Sequence, residues 1–149
     1  MKKFLYLFLI GIFSVALWSC SDDDDDWQPI SFNKLPDKAQ SYINGYCGGM
    51  TVKSVEMDDD GYEVVLTDGL RIDFDFSGEW TEVESVRNLA VPSGFVPVAI
   101  QNYIGVNYPN ANVTEISREP YGYKVELNTA VSGDLRFDQA GNLINGPTR

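Results

Sequence analysis

A chain of 149 residues has room for one domain, or for two half-domains that share a core. Its apolar content of 44% is ordinary for a globular protein and argues against wholesale disorder. The formal net charge is −11, so no basic stripe is available and nucleic acid is not expected as a partner.

Residues 1–19 have the pattern of a secretory signal peptide. Lys2 and Lys3 precede an apolar run from Phe4 to Trp18, which is shorter than the roughly 20 residues that a membrane-spanning helix needs. The run ends in "LWSC", which resembles the bacterial lipoprotein cleavage box. This resemblance implies that Cys20 becomes the first mature residue and carries acyl chains, which would anchor the protein to a membrane. Secretion without a lipid is the alternative.

Residues 20–34 are predicted to be the lipidated cysteine and an acidic tether. The run "SDDDDD" (21–26) cannot pack, because adjacent like charges repel and stay hydrated. Lipoproteins of Bacteroidetes carry a similar run, which directs them to the outside of the outer membrane. That resemblance implies an outer-membrane lipoprotein exposed at the cell surface, with a periplasm-facing position as the alternative. Calcium collection by this run is disfavoured, because a floppy segment lacks fixed geometry.

The second cysteine, Cys47, is predicted to be structural. An acylated Cys20 would leave it without a disulfide partner, so the domain would depend on its core for stability. A catalytic thiol would need a histidine base, and the sequence contains none. We therefore expect Cys47 to be a small apolar residue at a helix end.

The remainder of the chain contains an internal repeat. Identical residues recur at an offset of 61, which becomes 63 after "TDG" (67–69) because a loop at 128–134 is longer. Among the matching pairs are Pro36 and Pro97, Gln40 and Gln101, Tyr42 and Tyr103, Gly61 and Gly122, and Phe74 and Phe137. The sequence thus predicts a single domain over 35–149, with repeats at 35–86 and 96–145 and a linker at 87–95.

Each repeat is predicted to begin with a helix. Pro36 and Pro97 suit the first helical position, where no amide hydrogen is needed. Apolar residues follow at helical spacing, and we assign them to the core: Leu35, Ala39, Tyr42, Ile43 and Tyr46, then Val96, Ile100, Tyr103 and Ile104. Gly48–Gly49 ends the first helix and Pro109 ends the second.

Four strands are predicted to follow each helix. Apolar and polar residues alternate clearly in 62–67, 70–76 and 123–127, and more weakly in the other segments. One polar side indicates an antiparallel sheet covered on one face only. Since one such unit is marginal alone, joining two edge to edge would double the core and remove two exposed edges. The predicted fold is α+β: two tandem α-β4 repeats forming one continuous antiparallel sheet with two helices on one face.

This arrangement resembles the PepSY-like proteins of Bacteroidetes, whose fold is similar to that of the beta-lactamase inhibitor protein. The resemblance lies in "LPDKAQSYI" with "VPVAIQNYIGVNYP", "GYEVVL" with "GYKVEL", and "IDFDFSGEW" with "LRFDQAGNL". It covers residues 35 to about 145. These motifs are structural, so the resemblance implies a fold and identifies no functional residue.

One segment matches the spacing of an EF-hand calcium loop: Asp73, Asp75, Ser77, Gly78 and Glu84. An EF-hand needs a helix on each side, whereas these flanks alternate like strands. A hairpin turn is predicted instead, with Asp138 and Gly141 as its counterpart in the second repeat. The run "MDDDGY" (57–62) is likewise assigned to a turn. Calcium is therefore not expected, and no cofactor is predicted.

No pattern typical of catalysis is present. The sequence lacks a Gly-rich phosphate loop, zinc-ligand spacing and a Ser-His-Asp set, and no carboxylate sits in an apolar run that could raise its pKa. We predict that the protein is not an enzyme. What remains is the polar side of the sheet as a partner surface: Glu63, Arg71, Asp73, Trp80, Tyr121, Lys124, Glu126 and Arg136.

Two functions are compatible with such a surface. The leading hypothesis is a non-catalytic cell-envelope lipoprotein that binds a protein or peptide, with inhibition of an envelope or extracellular enzyme as one form of it. The support is fold analogy with an inhibitor. The alternative is a structural or accessory surface lipoprotein that binds calcium or glycan through its acidic turns. A solvated face without a partner is a further alternative.

Overall fold

A computed structural model describes residues 27–129 and 133–146. The predicted signal peptide, Cys20 and the "SDDDDD" run lie outside the described residues. Within the described ranges, strands in chain order form one open antiparallel sheet. They are β1 (Gln28–Pro29), β2 (Val52–Met57), β3 (Gly61–Leu66), β4 (Leu70–Asp75), β5 (Trp80–Ser85), β6 (Val113–Glu119), β7 (Gly122–Leu127), β8 (Leu135–Asp138) and β9 (Leu143–Asn145).

Two α-helices are found in these ranges, α1 (Asp37–Tyr46) and α2 (Val98–Asn107). Each follows a short 3-10 turn and a proline, and Pro36 and Pro97 have nearly equal φ angles of −52° and −53°. Proline fixes this angle and needs no amide partner, so it suits the entry to a helix. Both helices therefore begin one residue later than the sequence predicted.

Both helices cover the same side of the sheet. Ala39 and Ile43 of α1 belong to one buried core with Ile100 and Ile104 of α2. The strands contribute inward-facing side chains to it, among them Val64, Ile72, Phe74, Val83, Ile116, Val125 and Phe137. The predicted α+β architecture, with one continuous sheet and both helices on one face, is confirmed. Cys47 is 3% exposed at the end of α1, as expected for a structural thiol.

The two halves meet where β5 pairs with β6. Val83 lies opposite Ile116 there, and both side chains are fully buried. The sheet is thus continuous across the junction, and neither half leaves an inner edge exposed.

Equivalent positions in the two halves make the same local contacts. Gln40 Nε2 donates to the Leu35 carbonyl at 2.8 Å, and Gln101 Nε2 donates to the Val96 carbonyl at 2.7 Å. Irregular register recurs as well, at Val52–Ser54 in β2 and at Val113–Glu115 in β6. These shared details are consistent with a tandem repeat.

The ordered fold begins before residue 35. Gln28 and Pro29 pair with the edge of β2, and the amide of Ile30 donates to the Val55 carbonyl at 2.9 Å. Part of the segment assigned to a tether from the sequence is therefore a strand. The sequence signal was weak because the strand has only two residues, one of them a proline at a sheet edge. Among the described residues, no helix combines the length and apolarity required to cross a membrane.

Candidate functional site: the polar face of the sheet

The side of the sheet away from the helices carries two rows of directly paired residues. Partners in register on neighbouring strands point to the same face, so each row can be followed across the sheet. The first row is Glu56, Glu63, Asp73, Glu82, Ser117, Lys124 and Arg136. The second is Val65, Arg71, Glu84, Glu115 and Glu126. We call these residues the polar face.

Acidic groups dominate the polar face. Of its charged residues, seven are carboxylates and three are basic. In the first row, Glu56, Glu63, Asp73 and Glu82 occupy successive strands. Like charges directly opposite one another destabilise a sheet. This half of the face therefore carries a concentrated negative charge that the fold does not require.

Arg71 is the cation at the centre of this acidic cluster. Its Nη2 lies 2.6 Å from Glu84 Oε2 and 3.2 Å from Glu82 Oε1. Its Nε lies 3.7 Å from Glu63 Oε2 and 4.0 Å from Asp73 Oδ2. One guanidinium thus faces four carboxylates, and the cluster retains a negative balance.

The second half of the face is closer to neutral. Lys124 Nζ lies 2.7 Å from Glu115 Oε1 and 3.5 Å from Glu126 Oε1. The hydrogen bond to Glu115 raises the pKa of Lys124, so the amine is charged at any physiological pH. Arg136 is directly opposite Lys124 on the next strand. Negative charge is therefore concentrated on the side of β3, β4 and β5.

Asp73 is the most perturbed carboxylate of the face, and the expectation from the sequence that no carboxylate has a surrounding that raises its pKa was wrong here. Burial raises its pKa from 3.8 to about 6; Arg71 opposes this shift, whereas Glu63 and Glu82 add to it. The buried atoms Asp73 Oδ1 and Arg71 Nε make no hydrogen bond to any described residue. A carboxylate in this position has unused acceptor capacity.

A pocket opens beside Asp73. Its volume is about 210 Å³, and carboxylates and an indole contribute to its lining. The lining residues are Trp27, Asp58, Asp60, Gly61, Tyr62, Glu63, Asp73, Phe74 and Thr81. Asp58 Oδ1 accepts hydrogen bonds from the amides of Asp60 and Gly61, which fixes the turn at the pocket rim. Aromatic and carboxylate walls together suit a cationic group.

Most of the surface residues proposed from the sequence lie together. Glu63, Arg71, Asp73, Lys124, Glu126 and Arg136 belong to the polar face. Tyr121 is in the turn between β6 and β7, and the guanidinium carbon of Arg136 lies 6.0 Å from its ring centroid. The alternation of apolar and polar residues in the clearly patterned segments 62–67, 70–76 and 123–127 was sufficient to predict most of this set.

The assignment of Trp80 to this surface was wrong. Its side chain is 3% exposed and packs on the helix side against Phe95 and Tyr123. The reason is a β-bulge: Asp73 pairs with Glu82 and Phe74 pairs with Trp80, which leaves Thr81 as an extra residue. The extra residue reverses the alternation, so Trp80 faces the core and Glu82 faces water.

Several acidic residues of the polar face were missed, namely Glu56, Glu82, Glu84 and Glu115. They lie in β2, β5 and β6, whose pairing contains bulges that blur the period of two. A usable signal existed in β5, where Glu82 and Glu84 alternate with Val83 and Ser85. Applying that alternation locally would have found two of the four carboxylates around Arg71.

The EF-hand-like segment forms a hairpin between β4 and β5. Asp75 Oδ1 accepts hydrogen bonds from the Ser77 amide at 2.8 Å, the Ser77 hydroxyl at 2.6 Å and the Glu79 amide at 3.1 Å. Asp138 Oδ1 makes the equivalent contacts with the amides of Ala140 and Asn142. Burial is the largest single influence on the pKa of Asp75 and raises it, but the hydrogen bonds from Ser77 and Glu79 together outweigh it, so this pKa is lowered. The pKa of Asp138 is lowered mainly by its hydrogen bonds with Asn142. Both acids therefore serve as turn caps.

The acidic turns do not form a metal-binding cluster in the part of the chain that the structure describes. Within 27–129 and 133–146, no three or more Asp, Glu or Cys side chains converge in a way that could hold a metal ion. Glu84 of the EF-hand-like set contacts Arg71 instead.

A second concavity lies on the helix side, between α1 and α2. Its volume is about 360 Å³, and Tyr42, Tyr46, Trp80, Phe95 and Arg118 are among its lining residues. The guanidinium carbon of Arg118 stacks 4.1 Å from the Trp80 ring, and Arg118 Nη1 lies 3.1 Å from Glu79 Oε2. Glu79 also accepts hydrogen bonds from Lys38 and Tyr42. This cluster links β6 to α1 and the β4–β5 hairpin, so it joins the two halves.

Comparisons with known proteins agree with this architecture. The model of a family described as "Putative beta-lactamase-inhibitor-like, PepSY-like" matches residues 24–70 and 60–145. A comparison with curated proteins found no match.

Three solved structures are similar over most of this chain. One, from Bacteroides thetaiotaomicron, is described as a putative calcium-regulated periplasmic protein; it is 36% identical with a TM-score of 0.73, over 81% of this chain and 96% of that one. A Bacteroides vulgatus protein, described as a putative periplasmic protein of the DUF2874 family, is 36% identical with a TM-score of 0.72, over 82% and 97%. Another from Bacteroides vulgatus, of unknown function, is 31% identical with a TM-score of 0.69, over 79% and 98%.

Proposed function

Because this chain belongs to the PepSY-like family, we propose that it is a non-catalytic binding lipoprotein of the cell envelope whose polar face recognises a partner that presents lysine or arginine side chains. The family and the similar structures include no described catalytic activity. The observation that carries the proposal is the run of Glu56, Glu63, Asp73 and Glu82 across four adjacent strands.

The energetics of this run favour a binding role. Directly opposed carboxylates oppose folding, and among the described residues the four carboxylates around Arg71 share that one guanidinium. A cationic side chain from a partner would relieve the repulsion, so part of the binding energy comes from the strain of the free protein. Groups that disfavour the fold and are retained at one site are typical of functional sites.

The pocket beside Asp73 supplies a specific place for one cation. Its volume of about 210 Å³ suits a single side chain, and Trp27 provides an aromatic wall. Asp73 lines this space, and its buried Oδ1 has no hydrogen-bond partner among the described residues. We propose that a lysine ammonium or an arginine guanidinium enters here, while the remaining acidic residues steer the partner through long-range attraction.

The position in the cell also forms part of the proposal. Attachment through Cys20 to the outer membrane, with the domain exposed at the cell surface, is supported by the "LWSC" box and the acidic run after it. The three similar structures are described as putative periplasmic proteins, which supports the alternative that the domain faces the periplasm. A Cys20→Ala variant should lose incorporation of a labelled fatty acid in a bacterium that processes lipoproteins. Incorporation equal to that of the wild-type chain would contradict the anchor.

A binding experiment with matched variants tests the polar face. The probe is an array of short peptides that contain lysine and arginine, with isosteric glutamine peptides as blanks. The protein applied to the array is the chain from Ser21 onward, which retains every described residue. We expect Glu63→Gln with Glu82→Gln to weaken binding by about 10-fold and to flatten its salt dependence. Asp37→Asn with Asp59→Asn removes the same charge elsewhere and should change binding by less than about 2-fold.

Inhibition of an enzyme is one form that this binding would take. The partner would then present a basic loop near its active site, which the acidic half of the polar face would cover.

In the peptide experiment, equal weakening of binding by the two charge-matched double variants would mean that net charge alone attracts the peptides. That outcome would contradict the proposed role of the polar face.

A second candidate function is regulation by calcium. It is favoured by the description of the Bacteroides thetaiotaomicron relative as a putative calcium-regulated periplasmic protein. Asp58, Asp60, Glu63 and Asp73 line one pocket, although the described carboxylates do not converge as a ready set of metal ligands. Isothermal titration with calcium chloride separates the two candidates. Saturable heat that Asp73→Asn abolishes and Asp59→Asn preserves would favour calcium, whereas the cationic-partner proposal expects no saturable heat from calcium alone.

A further inference from the structure

One long segment of this acidic chain carries no charge. No Asp, Glu, Lys or Arg occurs from Asn88 to Thr114, although the whole chain has 33 charged residues, 11 basic and 22 acidic. This segment contains the connection between the halves and all of α2. A part of the surface is therefore neutral on a molecule whose net charge is −11.

The outer side of α2 exposes apolar residues. Val98 is 70% exposed and Val106 is 81% exposed, while Ile100 and Ile104 on the opposite side of the helix are buried. Between the two valines on the outer side lie Ala99, Asn102 and Gly105, which are also exposed. An α-helix on the surface of a monomer ordinarily turns charged and polar residues toward water. We call Val98, Ala99, Asn102, Gly105 and Val106 the α2 outer face.

The equivalent helix of the first half provides an internal comparison. At an offset of 61 residues, the α2 outer face corresponds to Asp37, Lys38, Ser41, Asn44 and Gly45 of α1. All five residues are exposed and four of them are polar, with an acid and a base among the four. The same position in the same fold is thus solvated in one half and apolar in the other, so the fold itself does not demand the valines.

The α2 outer face is symmetric about Asn102. Val98 and Val106 are each four residues from it, and Ala99 and Gly105 are each three residues from it. Residues three and four apart lie on one side of a helix. An antiparallel copy of α2 centred on Asn102 would therefore place Val98 against Val106 and Ala99 against Gly105. A face of this kind is self-complementary, as a twofold contact requires.

Gly105 leaves the α2 outer face open to a close approach. A Cβ atom built there meets nothing within 4 Å, so no neighbour in the described protein requires a glycine. Glycine inside a helix is less favourable than alanine. Gly45 of α1 is equally unobstructed, so an open glycine is not peculiar to this face. At Gly105 the missing side chain would allow two helix axes to come nearer.

We propose that two copies of this chain associate through their α2 outer faces across a twofold axis at Asn102. Two molecules of net charge −11 repel, and the repulsion is smallest where neither surface carries charge. The valines would be withdrawn from water, and the Asn102 amides would meet at the axis, where such a pair fixes orientation. The polar face lies on the other side of the sheet and remains free in the pair.

Sedimentation equilibrium of the chain from Ser21 onward tests this association. A contact through one short helix buries little surface. We therefore expect a reversible dimer with a dissociation constant between about 10 μM and about 1 mM. Asn102→Glu would place two like charges at the axis and should weaken association by at least about 10-fold. Ser41→Glu makes the same charge change at the equivalent position of α1 and should alter it by less than about 2-fold.

Cysteine cross-linking gives a second readout. Asn102→Cys should form a disulfide-linked dimer on mild oxidation, because this position faces its own copy at a twofold axis. Ser41→Cys should remain monomeric under the same conditions. Circular dichroism of each variant shows whether α2 remains folded.

Three results would overturn the proposal. The first is a monomer over the whole concentration range, with no excess of Asn102→Cys dimer over Ser41→Cys dimer. The second is a dimer that Asn102→Glu leaves unchanged or that Ser41→Glu weakens equally. The third is a wild-type chain that stays monomeric and binds neutral phosphatidylcholine vesicles, together with an Asn102→Glu variant that does not bind them. That result would make the α2 outer face a membrane contact instead.

Discussion

Glu63 and Asp73 lie directly opposite each other on β3 and β4, and Arg71 Nε is the cation nearest to both, at 3.7 Å from Glu63 and 4.0 Å from Asp73. The Arg71 guanidinium therefore offsets the repulsion between these two carboxylates and stabilises this part of the sheet. Removing one partner of a charge cluster leaves the others without compensation. The polar face is therefore a place where stability and binding are coupled.

Arg71→Gln is expected to destabilise the fold. Four carboxylates would lose their common counter-ion, and the free energy of unfolding in urea should fall by about 1–2 kcal/mol after allowance for solvent screening. Arg87→Gln removes an exposed arginine outside the polar face and should change the free energy of unfolding by less than about 0.5 kcal/mol. Equal effects of the two variants would contradict the role of Arg71.

Asp73→Asn is expected to stabilise the protein near neutral pH. With its pKa raised to about 6, the folded state holds the proton more tightly than the unfolded chain does, whose carboxyl titrates near 3.8. The resulting stability is fully present below pH 3.8 and is lost as the pH rises through 6. The variant should gain about 1 kcal/mol, or about 4 °C in melting temperature, at pH 7.5 and almost nothing at pH 3.5.

Asp59→Asn is the control for this pH dependence, because it removes the same charge from an exposed turn residue. Its melting curve should follow that of the wild-type chain at both pH values. A gain for Asp73→Asn that is equal at pH 3.5 and 7.5 would show that the effect does not arise from titration of Asp73.

Arg118→Ala is expected to loosen the junction between the halves. The substitution removes the stacking on Trp80 at 4.1 Å and the contact with Glu79 at 3.1 Å. We expect the free energy of unfolding to fall by about 1–2 kcal/mol, since the arginine is partly exposed and its ion pair is screened. Arg136→Ala is the comparison, because its aromatic partner is farther away, at 6.0 Å. Hydrogen exchange should show the largest loss of protection in β5 and β6.

Gly122→Ala is expected to disrupt the pairing of β7 with β8. Gly122 has a φ of +145°, and a Cβ atom there would lie 2.3 Å from the Phe137 carbonyl oxygen. Because that neighbour is backbone, the clash cannot be relieved by a side-chain rotation, and we expect a loss of at least about 3 kcal/mol. Gly45→Ala, where nothing lies within 4 Å, should instead stabilise α1 by about 0.5–1 kcal/mol. The melting temperatures of the two variants test this prediction, since Gly122→Ala should lower the melting temperature and Gly45→Ala should raise it.

Cys47 is expected to be unreactive in the folded chain. Burial raises the pKa of its thiol to about 11, with Asp68 adding to the shift. Alkylation by iodoacetamide at pH 8 should be at least about 100-fold slower than in the urea-unfolded chain, because the thiolate is the reactive species. Equal rates in the folded and unfolded chain would show that α1 opens readily at its end.

Regular patterns in the sequence were sufficient to predict most of the fold. The prolines before α1 and α2 located the helix starts to within one residue, and the repeated "GYxVxL" strands predicted the continuous sheet. These signals are local, and each half confirmed the other. The helical spacing of apolar residues also identified the buried side chains Ala39 and Ile43 of α1.

What the sequence could not supply was register. The bulge at Thr81 reverses the direction of Trp80, and no residue in "GEWTEV" marks it, because a bulge is defined by pairing with β4. The four carboxylates around Arg71 come from three strands, and their convergence depends on the same pairing. β1 was missed because two residues give too little pattern.

The outermost strands have a consequence for how the protein behaves when crowded. β1 has 2 residues and β9 has 3, so each end of the sheet offers a neighbouring chain few free peptide groups. On β2, which β1 covers only in part, Lys53 is exposed. Short borders and a flanking charge are devices by which natural sheets resist growth into fibrils. The open sheet formed by the described strands can in this way avoid self-association through its edges at high local density.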